Sequence, residues 1–155
     1  MAIEIERKFL LANQQWREQV QSQSKYIQGY LSRCPERTVR VRVADDHAWL
    51  TIKGENIGAV RPEYEYPIPT ADALGMLAQL CEQPVIEKWR HRIMVNRHLW
   101  EIDEFLGKNS GLIVAEIELK QEDEIFVRPS WLGAEVTDDK RYFNSCLISN
   151  PYCEW

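Results

Sequence analysis

The chain has 155 residues, of which 45% are hydrophobic and 28% charged. That is enough apolar content to fill one core and too little length for two ordinary domains, so it excludes a largely disordered chain and predicts a single domain over 1–155. Lys and Arg number 19 and Asp and Glu 24, a formal net charge of -5 that excludes the basic excess of a general nucleic-acid binder.

The opening stretch carries Glu4, Glu6, Arg7 and Lys8 where a signal peptide needs apolar residues, and no apolar run is long enough to span a bilayer. The expectation is a soluble cytoplasmic protein with no membrane and no nucleic-acid partner. Cys34, Cys81, Cys146 and Cys153 are scattered without metal-ligand spacing, which predicts free thiols. Alternation of apolar and charged residues predicts strands over Ile3 to Phe9, Lys25 to Ser32, Thr38 to Ala44, Ala48 to Lys53 and Arg61 to Ile68. It predicts three more over Val85 to Val95, His98 to Phe105 and Leu112 to Lys120. Helices are expected at Asn13 to Val20 with Asn13 as cap, at Thr70 to Cys81 with Thr70 as cap, and at Asp138 to Leu147. Turn signals fall at Asp45-Asp46, Gly54 to Gly58, Gly107 to Gly111 and Pro129. The fold class that follows is α+β: an eight-stranded antiparallel sheet, closed into a barrel that leaves no exposed edge, with a few helices packed outside.

The charged faces carry the functional signal. Their signs are sorted by strand: Glu4, Glu6 and Lys8, then Arg40 and Arg42, then Thr51 and Lys53, then Glu63 and Glu65. Lys88, Arg90 and Arg92 follow, then Glu101 and Asp103, then Glu116 and Glu118. A solvated face normally intersperses polar residues and opposite charges, because like charges on one strand repel. Turned inward, the same faces would line a wet lumen. Paired carboxylates suit hard divalent cations such as Mg²⁺ or Mn²⁺, and converging Lys and Arg suit phosphate oxygens. Both sets together describe a site for a metal and a polyphosphate.

The order of short motifs resembles the CYTH domains, or triphosphate tunnel metalloenzymes. The residues that carry the likeness are Glu4-Ile5-Glu6-Arg7-Lys8, Gln28-Gly29-Tyr30-Leu31, Arg40-Val41-Arg42, Thr51 to Gly54 and Glu63-Tyr64-Glu65. It continues through Glu87-Lys88-Trp89-Arg90, Trp100 to Asp103, Ala115 to Leu119 and a tail from Trp131 to Tyr142 like that of the short, stand-alone bacterial branch. The resemblance implies an eight-stranded tunnel and metal-dependent chemistry on triphosphates. By motif match it implies Glu4, Glu6, Asp103, Glu116 and Glu118 as metal ligands, and Lys8, Arg40, Arg42, Lys53, Lys88 and Arg90 as phosphate holders. Glu63 and Glu65 match tunnel acids without an assigned partner.

The expected activity is hydrolysis of tripolyphosphate to pyrophosphate and phosphate with Mg²⁺ or Mn²⁺, with a small-molecule triphosphate as partner and a homodimer among the options. Lys53 and Lys88 are candidate catalytic groups. Tyr30 joins them if its strand brings it to Lys53, whose charge would then favour the phenolate. Lys140 and Arg141 are either a tunnel closure or solvated helix charges, Arg92 is either luminal or at a mouth, and Trp49 and Trp100 are candidates for an aromatic rim. A class IV adenylyl cyclase and a thiamine triphosphatase are the enzymatic alternatives, and a polyphosphate-binding module without turnover is the alternative of another class.

Overall fold

Period-two alternation gives each strand a charged face and an apolar face. The computed structural model describes residues 2–155. Its strands are β1 (Ile3–Leu11), β2 (Ser22–Ser32), β3 (Thr38–Ala44), β4 (His47–Lys53), β5 (Val60–Pro67), β6 (Ile86–Val95), β7 (His98–Phe105), β8 (Ile113–Glu118) and β9 (Leu132–Glu135). Their order is β5-β4-β3-β2-β6-β7-β8-β1-β9, and a β5–β1 pairing closes the first eight into a barrel. One edge of β1 is shared: Ile3 to Ile5 pair with β5, while Phe9 and Leu11 pair with β9. The β3–β4 and β6–β7 hairpins turn on Asp45 (φ 54°) and Asn96 (φ 53°), the residue types that, glycine aside, best tolerate the left-handed backbone of tight hairpin turns.

The apolar residues lie mostly on the outer face. Phe9, Ile93, Trp100, Ile102, Ala115 and Ile117 pack there with Trp16 and Trp131 from the covering segments. Helix α1 (Thr70–Gln79) covers β3 and β4 through Ala73 and Leu77, which meet Val41, Val43 and Ala48. The third apolar group has luminal parity but sits at one end of the barrel. There Tyr30, Ile86, Phe105 and Val114 meet Tyr142, Leu147 and Ile148 of the C-terminal segment.

Several expected boundaries shift. The short β9 is absent from the expected strands: four residues are too few for visible alternation, and Gly133 interrupts them. Asn13 Oδ1 does accept from Gln15 N (2.9 Å), but the element it opens is a 3-10 helix, Gln15–Gln19. Thr70 is the first residue of α1 rather than its cap: Pro69 holds the cap position, and the Thr70 hydroxyl donates to the Asp46 carbonyl (3.1 Å). The expected helix over Asp138 to Leu147 is broken into a 3-10 turn, Lys140–Tyr142, and α2 (Asn144–Leu147). Between them Phe143 is extended (φ -70°, ψ 130°), and Asp139 accepts from the Arg141 backbone N–H in a local cap that competes with helix continuation. All four cysteines are free thiols. No helix among the described residues is long and apolar enough to cross a membrane.

Candidate active site

The even positions of β1 and their register partners enclose a cavity of about 250 Å³. Its wall includes Glu4, Glu6 and Lys8 from β1, Arg40 and Arg42 from β3, Lys53 from β4, and Glu63 and Glu65 from β5. Lys88 and Arg90 from β6, Glu101 from β7, and Glu116 and Glu118 from β8 complete the charged set. Register accounts for the grouping. Arg40 lies opposite Thr51 and Thr51 opposite Glu65, whereas Thr38, Lys53 and Glu63 form the next row. Lys8 lies opposite Glu116 and Glu6 opposite Glu118. The result is polarised, with most cations on β3, β4 and β6 and the acids on β1, β5, β7 and β8; Lys8 of β1 and Arg61 of β5 are the cations on the acid side.

The cations are deep and the rim acids shallow. Lys88 is 1% and Arg90 8% exposed at the side chain, against 41% for Glu65 and 27% for Glu101. Asp103, one of the expected metal ligands, shares the luminal parity of Glu101 but is covered by Lys88 and Arg90 and is not in the cavity wall. Its two oxygens accept from Arg90 Nε (2.8 Å), Arg90 Nη2 (2.9 Å) and Lys88 Nζ (2.7 Å), and its side chain is 1% exposed. Burial would raise the Asp103 carboxyl, but Arg90 and Lys88 outweigh it and hold it low. Lys53 Nζ is held by Glu4 (3.0 Å) and Glu63 (3.2 Å), and Arg61 also reaches Glu4 (3.4 Å). Arg90 Nη2 donates to Glu116 (2.8 Å), and Lys8 approaches the same carboxylate at 3.6 Å.

Both the cations and the acids of the lumen are electrostatically incomplete. Burial lowers Arg42 to about 10, and neighbouring Arg40 and Arg90 push it the same way; its hydrogen-bond acceptor is the neutral Gln28 Oε1 (2.9 Å). Both Arg42 and Arg90 lie over the Tyr26 ring, at 4.8 and 4.9 Å. Arg40 Nε is buried without a hydrogen-bond partner among the described residues. Burial and the Arg90 and Arg42 charges lower Lys88 to about 7 despite its pairing with Asp103. The acids are equally crowded. Burial, then Glu116 and Glu4, hold the Glu6 carboxyl well above its ordinary range. Burial and a hydrogen bond shared with Glu4 raise Glu63 to about 6. Burial, then Glu4 and Glu101, raise Glu118. Among the described residues, no three acidic or sulfur and imidazole ligands already converge on one point. The donor set itself fits a hard cation, since it is all carboxylate oxygen and the acids repel one another where a positive charge would relieve them.

Other expectations resolve differently. Tyr30 and Lys53 both line the cavity, from β2 and β4 with β3 between them; the Tyr30 Oη accepts from Gln28 Nε2 (3.4 Å), while Lys53 is engaged by the carboxylates. Lys140 and Arg141 are not in the cavity wall: Arg141 is exposed and folds back on Asp139 (2.7 Å). Arg92 donates to Ser24 Oγ and Tyr26 Oη, both at 3.1 Å, near the open end of β6. Trp49 lines the cavity, but Trp100 is fully buried on the outer face, where alternation from Glu101 and Asp103 had to place it. Sequence reasoning missed Arg61, although it shares parity with Glu63 and Glu65. It also missed Tyr26 and Asn144. No spacing rule marks Asn144, because it enters the lumen from the C-terminal segment.

The chain matches the CYTH domain family model over residues 2–146. It is 47% identical over 152 residues to an inorganic triphosphatase of Acetivibrio thermocellus, covering 98% of this chain and 97% of that protein. A second inorganic triphosphatase, from Nitrosomonas europaea, is 36% identical over 148 residues, 93% of this chain and 95% of the other. A crystal structure of an inorganic triphosphatase superposes with a TM-score of 0.66 at 34% identity, covering 96% of this chain and 95% of that one.

Proposed function

The chain belongs to the CYTH domain family, and from that premise we propose that it is a metal-dependent inorganic triphosphatase. It hydrolyses tripolyphosphate to pyrophosphate and phosphate inside the barrel. The observation that carries this reading is the excess of buried cation around Arg42. Guanidinium groups crowded together without a carboxylate for each are costly unless a polyanion joins them. The buried, unpartnered Arg40 Nε is a further donor for the same ligand.

Arg40, Arg42, Lys88 and Arg90, with Lys8 and Lys53 at the acid side, bind and align the phosphate chain. Their charge is in place before substrate arrives, which is what phosphoryl transfer chiefly requires. Lys88 and Lys53 stabilise negative charge that builds on the phosphate oxygens, including the bridging oxygen that leaves with pyrophosphate. Glu6, Glu116 and Glu118, with Glu4, are the carboxylates that hold a divalent cation. When bound, that cation supplies neutralisation of phosphate oxygens and acidification of water. Asp103, buried against Lys88 and Arg90, orients them, and Tyr30 forms part of the closed end. The bond cleaved is a terminal phosphoanhydride; water adds to phosphorus and pyrophosphate leaves.

The test supplies purified protein with tripolyphosphate, ATP and thiamine triphosphate, each with Mg²⁺, with Mn²⁺ or with chelator. Phosphate and pyrophosphate from tripolyphosphate, released only with metal, are expected. Cyclic AMP as the main product would overturn the hydrolase reading, and binding without turnover under either metal would leave a binding module.

A further inference from the structure

The C-terminal segment does more than stop one end of the barrel. Phe143, Asn144 and Ser145 line the cavity, and two of them touch cations of the phosphate wall. Lys8 Nζ lies 5.0 Å from the centre of the Phe143 ring. Asn144 Oδ1 accepts from Lys88 Nζ (2.8 Å) and from Gln28 Nε2 (2.9 Å). Gln28 in turn accepts from Arg42 Nε through its Oε1 (2.9 Å) and has no exposed surface. Two neutral amides thus bridge a lysine of β6 to an arginine of β3 across β2. Neither amide neutralises the cations, yet each fixes where a cation points.

That choice of groups has a physical consequence. A carboxylate in place of Asn144 would satisfy Lys88 as well, but it would set a negative charge against an incoming phosphate. A neutral acceptor holds the ammonium without competing for its charge. The Asn144 oxygen can play this part only because Phe143 is extended, which breaks the expected long helix and starts α2 inside the lumen.

We propose that Asn144 and Gln28 are positioning residues that hold Lys88 and Arg42 in the geometry that grips the phosphate chain, so that the C-terminal segment is a working part of the substrate site. This rests on the reading of the lumen as a phosphate site. The relay predicts that losing Asn144 matters through Lys88, whereas a merely structural plug would lower stability alike whatever residue occupied position 88.

The experiment is calorimetric titration of tripolyphosphate, in chelator, into the full chain carrying Asn144→Ala, Lys88→Met or both, with thermal unfolding of each variant alongside. Asn144→Ala is expected to weaken binding about tenfold, the scale of a hydrogen bond to a charged group, and the loss is expected to shrink below about threefold in the Lys88→Met background. In turnover with Mg²⁺, Asn144→Ala is expected to raise KM more than it lowers kcat. A loss that is undiminished without Lys88, or an Asn144→Ala chain that binds as the wild type does, overturns the relay alone. A wild-type chain that does not bind tripolyphosphate overturns the phosphate reading and the relay with it. Should Asn144→Ala unfold before titration, the same cycle with Gln28→Met and Arg42→Met reads the other arm: a loss that shrinks without Arg42 supports the relay, and an undiminished loss or none overturns it.

Discussion

Asp103 accepts from both Lys88 and Arg90 at a side chain that is 1% exposed, so its removal strands two buried cations. Asp103→Leu is expected to cost roughly 3–5 kcal/mol in urea unfolding, the range for breaking a buried pair by deleting one partner. Glu101, at the rim with 27% of its side chain exposed and 3.3 Å from Arg90, should behave differently: Glu101→Gln is expected to cost less than about 1 kcal/mol. Equal losses in the two variants would contradict this layering of deep and shallow acids. Glu6 is the reverse case. It has no ion pair among the described residues, and Glu116 and Glu4 already disfavour its charge. Glu6→Gln should therefore keep or raise the melting temperature while metal-dependent phosphate release falls by about 100-fold or more, a separation of stability from function common at sites built from like charges. Unchanged turnover in that variant would remove Glu6 from the metal set. Alternation alone places Glu6 on the charged face; its crowding by Glu116 depends on β1 and β8 meeting in one register.

At the scale of elements, β9 is held against β1 through a close backbone approach. A Cβ on Gly133 would stand 2.8 Å from the Leu10 carbonyl oxygen and 3.0 Å from its carbon, and backbone cannot step aside as a flexible side chain can. Gly133→Ala is expected to cost about 1–3 kcal/mol and to raise hydrogen exchange in β9 before it does so in β6 or β7. Loss of protection spread evenly over the barrel would argue against β9 as a locally attached strand. This strand also explains Arg7, the residue that interrupts the apolar outer face of β1. It meets Glu135 of β9 through two hydrogen bonds, at 2.8 and 2.6 Å, so a charge that looks misplaced in the first strand is paired by a late one. The broken third helix has a similar origin. Its periodicity is compatible with one helix over Asp138 to Leu147, but a continuous helix could not keep Phe143 extended and also present Asn144 to Lys88.

Across the whole molecule the usual arrangement is inverted: the interior holds the charges and most of the apolar core lies outside the barrel. An interior built this way is stabilised by its ligand. Tripolyphosphate at 100 times its Kd should contribute about 2.7 kcal/mol to folding, read as a higher melting temperature even in chelator, and the gain should fall as salt rises. A melting temperature that ignores tripolyphosphate would show that the lumen does not bind it. The strands, their two faces, the sorting of sign by strand and the family likeness are all legible in the chain before it folds. These are local properties, because side chains alternate with a period of two and the charged residues keep that period. Which charges become neighbours is settled only by folding. The folded chain pairs Asp103 with both Lys88 and Arg90 and brings Asn144 to Lys88 from 56 residues away. Register across strands and the path of the C-terminal segment set those distances, and neither leaves a periodic trace in the chain. The net charge of -5 is a sum over both surfaces, and the closure of the barrel is what gathers the luminal cations around one cavity.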